Sequence, residues 1–213
     1  MLQFLKDALE PLSYLIYTIA FFISGYRRQP DKKGVLLVYY IIATVLISIA
    51  CYTPGELINR IAYNCFFFIT TCFFSFYFNS ILINKIQKKI ITLAFLIHLI
   101  LFIKICFVSH QLYEINNYFY AFTYLTIVVY ALFYFGNVLN NVSELNILHR
   151  FDFWLVSGYL LYFLSCFFII LFYDNVEIKQ RALVWSIQNI ILFISSLSAL
   201  SGALWIKSQQ KYF

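Results

Sequence analysis

The stretch IITLAFLIHLILFIKICFV, residues 90–108, decides the fold: it carries a single lysine, Lys104, a single histidine, His98, and no acid. A run of this length and apolarity crosses a hydrocarbon core as a helix, because in lipid every backbone N–H and C=O needs a partner within its own segment. Working outward, comparable runs lie at Leu9–Gly25, Val35–Tyr52, Ile61–Ile83, Tyr118–Gly136, Phe153–Tyr173 and Ala182–Ile206, with the seventh at Ile90–Val108. The expected fold is all-α: a polytopic seven-transmembrane-helix bundle forming a single domain over residues 1–213.

Composition argues the same way. Hydrophobic residues make up 63% of the chain and charged residues 11%, against about a quarter charged in a soluble domain. The spans and their short links use up the length, so no room is left for a soluble catalytic or nucleotide-binding domain. The net charge of +6 sits at span boundaries rather than on one helical face. It therefore suits anionic lipid headgroups and not nucleic acid. Lys6 and Asp7 precede the first run, Glu10 stands at its start and no small-x-small site follows it, so it reads as a retained helix rather than a cleaved leader.

Lysine and arginine counted on alternate sides of the seven spans set the orientation. One side holds five: Lys6, Arg60, Lys104, Lys179 and Arg181. The other holds ten, with Arg27, Arg28, Lys32 and Lys33 on one link, Lys85, Lys88 and Lys89 on the next, then Arg150, Lys207 and Lys211. The expected topology is N-terminus outside and C-terminus cytoplasmic. Pro11, Pro30 and Pro54 fall at or outside span ends, so no span is expected to carry a proline kink.

Polar residues within spans are the candidates for function. Asn64, Thr71, Ser75 and Asn79 recur at intervals of seven, four and four, which keeps them on one helical face, expected to look into the bundle. They form either the wall of a small hydrophilic cavity or a set of interhelical hydrogen bonds. His98 lies near the expected midplane, where an ionisable group suggests a functional site; the plainer reading is a neutral imidazole bonded to a Tyr, Ser or Asn of a neighbouring helix. Gln188 and Asn189 sit in the outer half of the last span and present carboxamides either to neighbouring helices or to a ligand. Small residues mark helix packing: Gly158 on the sixth span, and on the seventh Ser195 with Ala199 and Ala203, and Ser198 with Gly202. The cysteines, five in number, read as free thiols. His98, His110 and His149 are too scattered to share a metal, so no metal site and no cofactor are expected.

Three passages resemble a group of small seven-helix membrane proteins of Bacteroidota: Ile58-Asn59-Arg60-Ile61-Ala62-Tyr63-Asn64, Tyr134-Phe135, and the run Phe153-Trp154-Leu155-Val156-Ser157-Gly158-Tyr159-Leu160-Leu161-Tyr162-Phe163. The chain departs from that group where Thr70 and Thr71 replace a glutamate and where Phe151-Asp152 replaces Asn-Pro. The resemblance implies seven helices in a bacterial inner membrane and no particular activity. Asp152 suits a helix start, where a carboxylate meets free N–H groups.

The sequence contains no Walker loop, no G-x-G-x-x-G, no H-E-x-x-H and no G-x-S-x-G, and no enzyme is expected. The leading expectation is an integral membrane sensor or accessory subunit. It would bind a small ligand, lipid or partner and couple to a separate cytoplasmic signalling protein, or to copies of itself. A small-solute or ion transporter using Asn64, Ser75, Asn79 and Asn189 is the alternative, and a purely structural membrane subunit the next.

Overall fold

The computed structural model describes residues 2–23, 30–52, 55–108, 116–140, 148 and 150–209. The described residues form helices and no strand: α1 (Leu2–Ile23), α2 (Pro30–Tyr52), α3 (Glu56–Ile81), α4 (Lys85–Ile103), α5 (Asn117–Asn140), α6 (Phe151–Phe172) and α7 (Ile178–Gln209). Five stretches, Glu56–Ile81, Lys85–Phe107, Asn117–Asn140, Phe151–Phe172 and Leu183–Trp205, are long and apolar enough to cross a membrane; α1 and α2 carry the shorter apolar stretches Leu9–Ile23 and Leu36–Ala50. Pro54, Arg27, Arg28, Lys211, His110 and His149 lie outside the described residues.

Two expectations about helix regularity change. Pro11 lies inside α1 rather than at its edge, because α1 starts at Leu2, seven residues before the apolar run. The other irregularity needs no proline: α4 widens into a π-turn over Lys104–Val108. Between α3 and α4 the chain reverses over residues 82–84, and Asn84 caps α4 by accepting from Ile86 N at 2.8 Å.

The helices close into a ring. α1 packs along α7, α7 against α6, α6 against α5, α5 against α3, and α2 bridges α3 to α1. α4 lies outside, against α3 and α5, and buries only Ile91 and His98. Its Leu93, Leu96, Ile97 and Ile100 are exposed, an apolar face compatible with lipid contact. Hydroxyls within the helices are satisfied locally: Thr18, Thr44, Thr70 and Thr126 each donate to the carbonyl four residues back at 2.7–2.9 Å.

Aromatic rings fill the ring of helices. Tyr17 stacks on Tyr40 at 4.5 Å and Tyr40 donates to Tyr159 Oη at 2.5 Å. Tyr159 packs edge-on against Phe74 at 4.7 Å, Phe74 against Phe163 at 5.1 Å, and Phe163 against Tyr124 at 5.7 Å. At one end of the bundle Phe21 meets Phe151 at 5.3 Å, Asn137 Nδ2 donates to Gln87 Oε1 at 2.9 Å, and Tyr77 donates to Asp152 Oδ1 at 2.8 Å. The ends of α1, α3 and α5 thus meet the starts of α4 and α6, so these neighbours run antiparallel. Asp152 stands in the first turn of α6 but ties α3 to α6 through its oxygen. Because this bond has a charged acceptor, Tyr77→Phe is expected to cost about 1.5–3 kcal/mol, read as a lower unfolding midpoint in detergent.

Candidate functional site

The interior polar residues resolve into two places, a zipper between α3 and α5 and a chamber at the opposite end from Asp152. In the zipper, Tyr120 donates to Asn64 Oδ1 at 2.9 Å, Thr71 Oγ1 lies 3.4 Å from Thr123 Oγ1, and Ser75 Oγ lies 3.2 Å from Tyr130 Oη. Asn64, Thr71 and Ser75 are buried. Asn64 and Thr71 thus bond to α5, whose own polar row of Tyr120, Thr123 and Tyr130 was hidden among its aromatics, while Ser75, also bonded to α5, lines a lateral groove as well. Asn79, expected on the same face, is exposed. Fifteen residues from Asn64, its side chain has rotated away from α5 to a lateral groove of about 340 Å³ shared with Thr92 and Phe95 of α4.

His98 is fully buried between α4 and α5, but its partner is not on a neighbouring helix. Nδ1 bonds the Ala94 carbonyl of its own helix at 2.8 Å. Since a carbonyl only accepts, Nδ1 carries the proton and Nε2 is left as an acceptor; that nitrogen has no hydrogen-bond partner. The ring stacks on Phe122 at 4.4 Å.

The small residues sit where α6 and α7 touch. A Cβ on Gly158 would stand 2.8 Å from the Ser195 carbonyl oxygen, and one on Gly202 would stand 2.4 Å from Trp154 Cγ. Ser198 Oγ donates to the Trp154 carbonyl at 3.2 Å, and Ala199 and Ala203 are fully buried. Ser195 Oγ is hydrogen-bonded to Tyr17 Oη, which brings α1 into the same contact. Trp154 lies against Gly202, and its Nε1 donates to the Leu148 carbonyl at 2.9 Å. Cys65, Cys72, Cys106 and Cys166 are free.

The chamber, about 190 Å³, opens among α1, α3, α5, α6 and α7. Each wall follows from helical spacing. Tyr63, Phe66 and Phe67 come from one face of α3, Tyr120 and Tyr124 from one face of α5, and Trp185 with Gln188 from one face of α7; Tyr162 and Tyr173 come from α6 and the turn after it. Glu10 of α1 is the charged residue among those lining it. The turn after α6 is pinned: Arg181 Nε donates to the Val176 carbonyl at 3.3 Å, its guanidinium lies 4.9 Å over the Tyr173 ring, and Trp185 Nε1 donates to Tyr173 Oη at 3.1 Å. Gln188 is 4% exposed, with Nε2 3.4 Å from Tyr124 Oη and 3.5 Å from Tyr162 Oη. Its Oε1 has no hydrogen-bond partner, so an acceptor lies buried at the chamber wall.

Of the carboxamides noted in the sequence, Gln188 belongs to this chamber, while Asn189, also buried, does not line it. Glu10 and the tyrosines were missed as a site. The available signal was their gathering near the same ends of successive spans, which equally suits interfacial anchoring. Among the described residues, no group of three His, Cys, Asp or Glu side chains is placed to hold a metal. No family model, curated protein or solved structure matches the chain.

Proposed function

We propose that this chain is a seven-span sensor or accessory subunit of a bacterial inner membrane, with its N-terminus outside and its C-terminus cytoplasmic. It binds a small ligand in the tyrosine-lined chamber and couples that binding to a separate cytoplasmic protein. One observation carries this reading: a continuous column of packed rings lies beyond the chamber. Below Gln188 the rings of Tyr124, Phe163, Phe74, Tyr159 and Tyr40 follow one another in contact to Phe21 and Phe151 at the far end. A transporter needs a water-accessible path where these rings pack. A receptor needs a closed pocket and a stiff connection beyond it, and close-packed rings transmit displacement. The bias of lysine and arginine toward the Asp152 end supports the orientation.

The test is crosslinking of the tagged protein in its native membrane, followed by mass spectrometry of what co-purifies. A stoichiometric partner bound through the cytoplasmic face is expected. Gln188→Leu is expected to change the partner's output at least about fivefold, the lower range of allosteric coupling, with the amount of folded protein unchanged. Recovery of the protein alone, or only with itself, would sink the proposal.

A further inference from the structure

We propose that the lateral groove between α3 and α4 is a site for one phospholipid with an anionic headgroup, its acyl chain lying in the groove and its phosphate on Lys88 and Lys85. The groove, about 340 Å³, is separate from the tyrosine-lined chamber. On α3 it follows Cys72, Ser75, Phe76 and Asn79, the i, i+3, i+4, i+7 face of one helix, and on α4 it follows Thr92 and Phe95. Cys72 and Asn79 are seven residues apart, about 10 Å along the axis. Phe76, Asn79 and Thr92 are exposed, so the groove opens sideways, toward the space that lipid occupies. An occupant there would bridge to α3 a helix, α4, that itself buries only Ile91 and His98.

Polarity changes along the groove in the order that a phospholipid requires. Asn79 lies two residues before the end of α3, and α4 runs antiparallel to α3, so the Asn79 end of the groove meets the start of α4. There Lys85, Lys88 and Lys89 stand within about 60° of Thr92 around the helix, and side chains lean toward the helix N-terminus, which places the lysines at the mouth of the groove. Lys88 is half-buried, Lys85 and Lys89 are exposed, and none of the three forms an ion pair among the described residues. They crowd the positive end of the α4 dipole, where cations do not stabilise the helix and an anion is favoured. The bias of basic residues toward one side of the membrane accounts for their side, but not for a groove with a carboxamide beneath them.

Just inward of the lysines, the Asn79 carboxamide offers N–H donors at the depth of the lipid's ester carbonyls. Thr92 Oγ1 is committed to the Lys88 carbonyl at 3.0 Å, and Ser75 Oγ lies 3.2 Å from Tyr130 Oη. Deeper still, Phe76, Phe95 and the Cys72 thiol make an apolar wall suited to a chain. Basic pockets between membrane helices hold anionic headgroups in this way. A zwitterionic lipid would bring its own cation against the lysines, and free phosphate would leave the groove unfilled. A hydrocarbon chain alone would leave the Asn79 carboxamide facing carbon, which is costly.

The full-length protein in detergent is titrated with dioleoyl phosphatidylglycerol and, separately, with dioleoyl phosphatidylcholine, and bound lipid is counted by native mass spectrometry. One phosphatidylglycerol is expected to bind with a Kd at least about tenfold below that of phosphatidylcholine, at about fivefold for each lysine. Lys85→Gln combined with Lys88→Gln is expected to remove that preference, whereas Lys104→Gln, at the other end of α4, keeps it. Thr92→Trp replaces an exposed side chain and is expected to fill the groove and weaken both lipids. In the unaltered protein, maleimide labelling followed peptide by peptide is expected to slow at Cys72 when phosphatidylglycerol is added and to stay unchanged at Cys106, on the π-turn of α4. Equal binding of the two lipids, an equal loss of preference with Lys104→Gln, or Cys72 labelling indifferent to lipid overturns the proposal. So does lysine-dependent binding that Thr92→Trp leaves untouched, which would mean headgroups held at the surface with no chain in the groove. Protection of Cys72 by inorganic phosphate equal to that by the lipid overturns it as well.

Discussion

Tyr159→Ala is expected to be among the most damaging single substitutions in this chain, costing about 3–5 kcal/mol by analogy with large-to-small changes at packed aromatic sites. Tyr159 is 2% exposed and touches three helices besides its own. Its ring packs on Tyr17 of α1 at 5.9 Å and on Phe74 of α3 at 4.7 Å, and its hydroxyl receives the Tyr40 proton from α2 at 2.5 Å. In a bilayer the loss is not one of hydrophobic transfer, because lipid tails are as apolar as the bundle; it is lost dispersion contact and an unpaired donor. Tyr159→Phe separates these contributions. It keeps the ring contacts and strands only the Tyr40 hydroxyl, so about 1–3 kcal/mol is expected. Unfolding equilibria in mixed detergent, with Tyr40→Phe as the partner mutation, measure both. A Tyr159→Ala protein within about 1 kcal/mol of the parent would mean that the aromatic column does not hold the helices together, and the coupling route from the chamber would lose its physical basis.

How far the sequence revealed this molecule depends on which physical signal each feature leaves. Apolar runs located the helices because lipid compatibility is a property of single segments. The helix ends were harder, since hydropathy marks where lipid stops and not where the backbone stops coiling. α5 continues past Gly136 to Asn140, α6 begins at Phe151, and α7 begins at Ile178. The shared face of Asn64, Thr71 and Ser75 was legible from spacing alone, yet the partner face on α5 was not, because a tyrosine in so aromatic a chain serves lipid, packing or hydrogen bonding equally well. The chamber is harder still. It draws residues from five helices, and periodicity on one helix does not say which faces of others it meets. Gln188 was visible as a polar residue out of place; Glu10 read as one more acid near an outer boundary.

Gly158 and Gly202 give the other large expected effect, and their combination tests the α6–α7 contact as a unit. An alanine Cβ at Gly202 would lie 2.4 Å from Cγ and 2.5 Å from Cβ of Trp154, at the base of the indole, where rotation about the side chain gives little relief. The far end of that ring is held as well, by the bond from Nε1 to the Leu148 carbonyl. At Gly158 the obstacle is backbone, the Ser195 carbonyl oxygen at 2.8 Å, and Ser195 is itself tied to Tyr17. Neither site relaxes without moving α7 from α6, so each alanine is expected to cost about 1–3 kcal/mol as overpacking. Gly136, with nothing within 4 Å of a built Cβ, is the contrast: Gly136→Ala is expected to be neutral or to gain up to about 1 kcal/mol from helix propensity. Because the two tight glycines press the same pair of helices apart, Gly158→Ala combined with Gly202→Ala is expected to cost less than the two single effects together, the second alanine entering a space the first has already opened. Strict additivity would mean that α6 and α7 yield locally at each glycine, and that the interface is a row of independent contacts rather than one rigid seam.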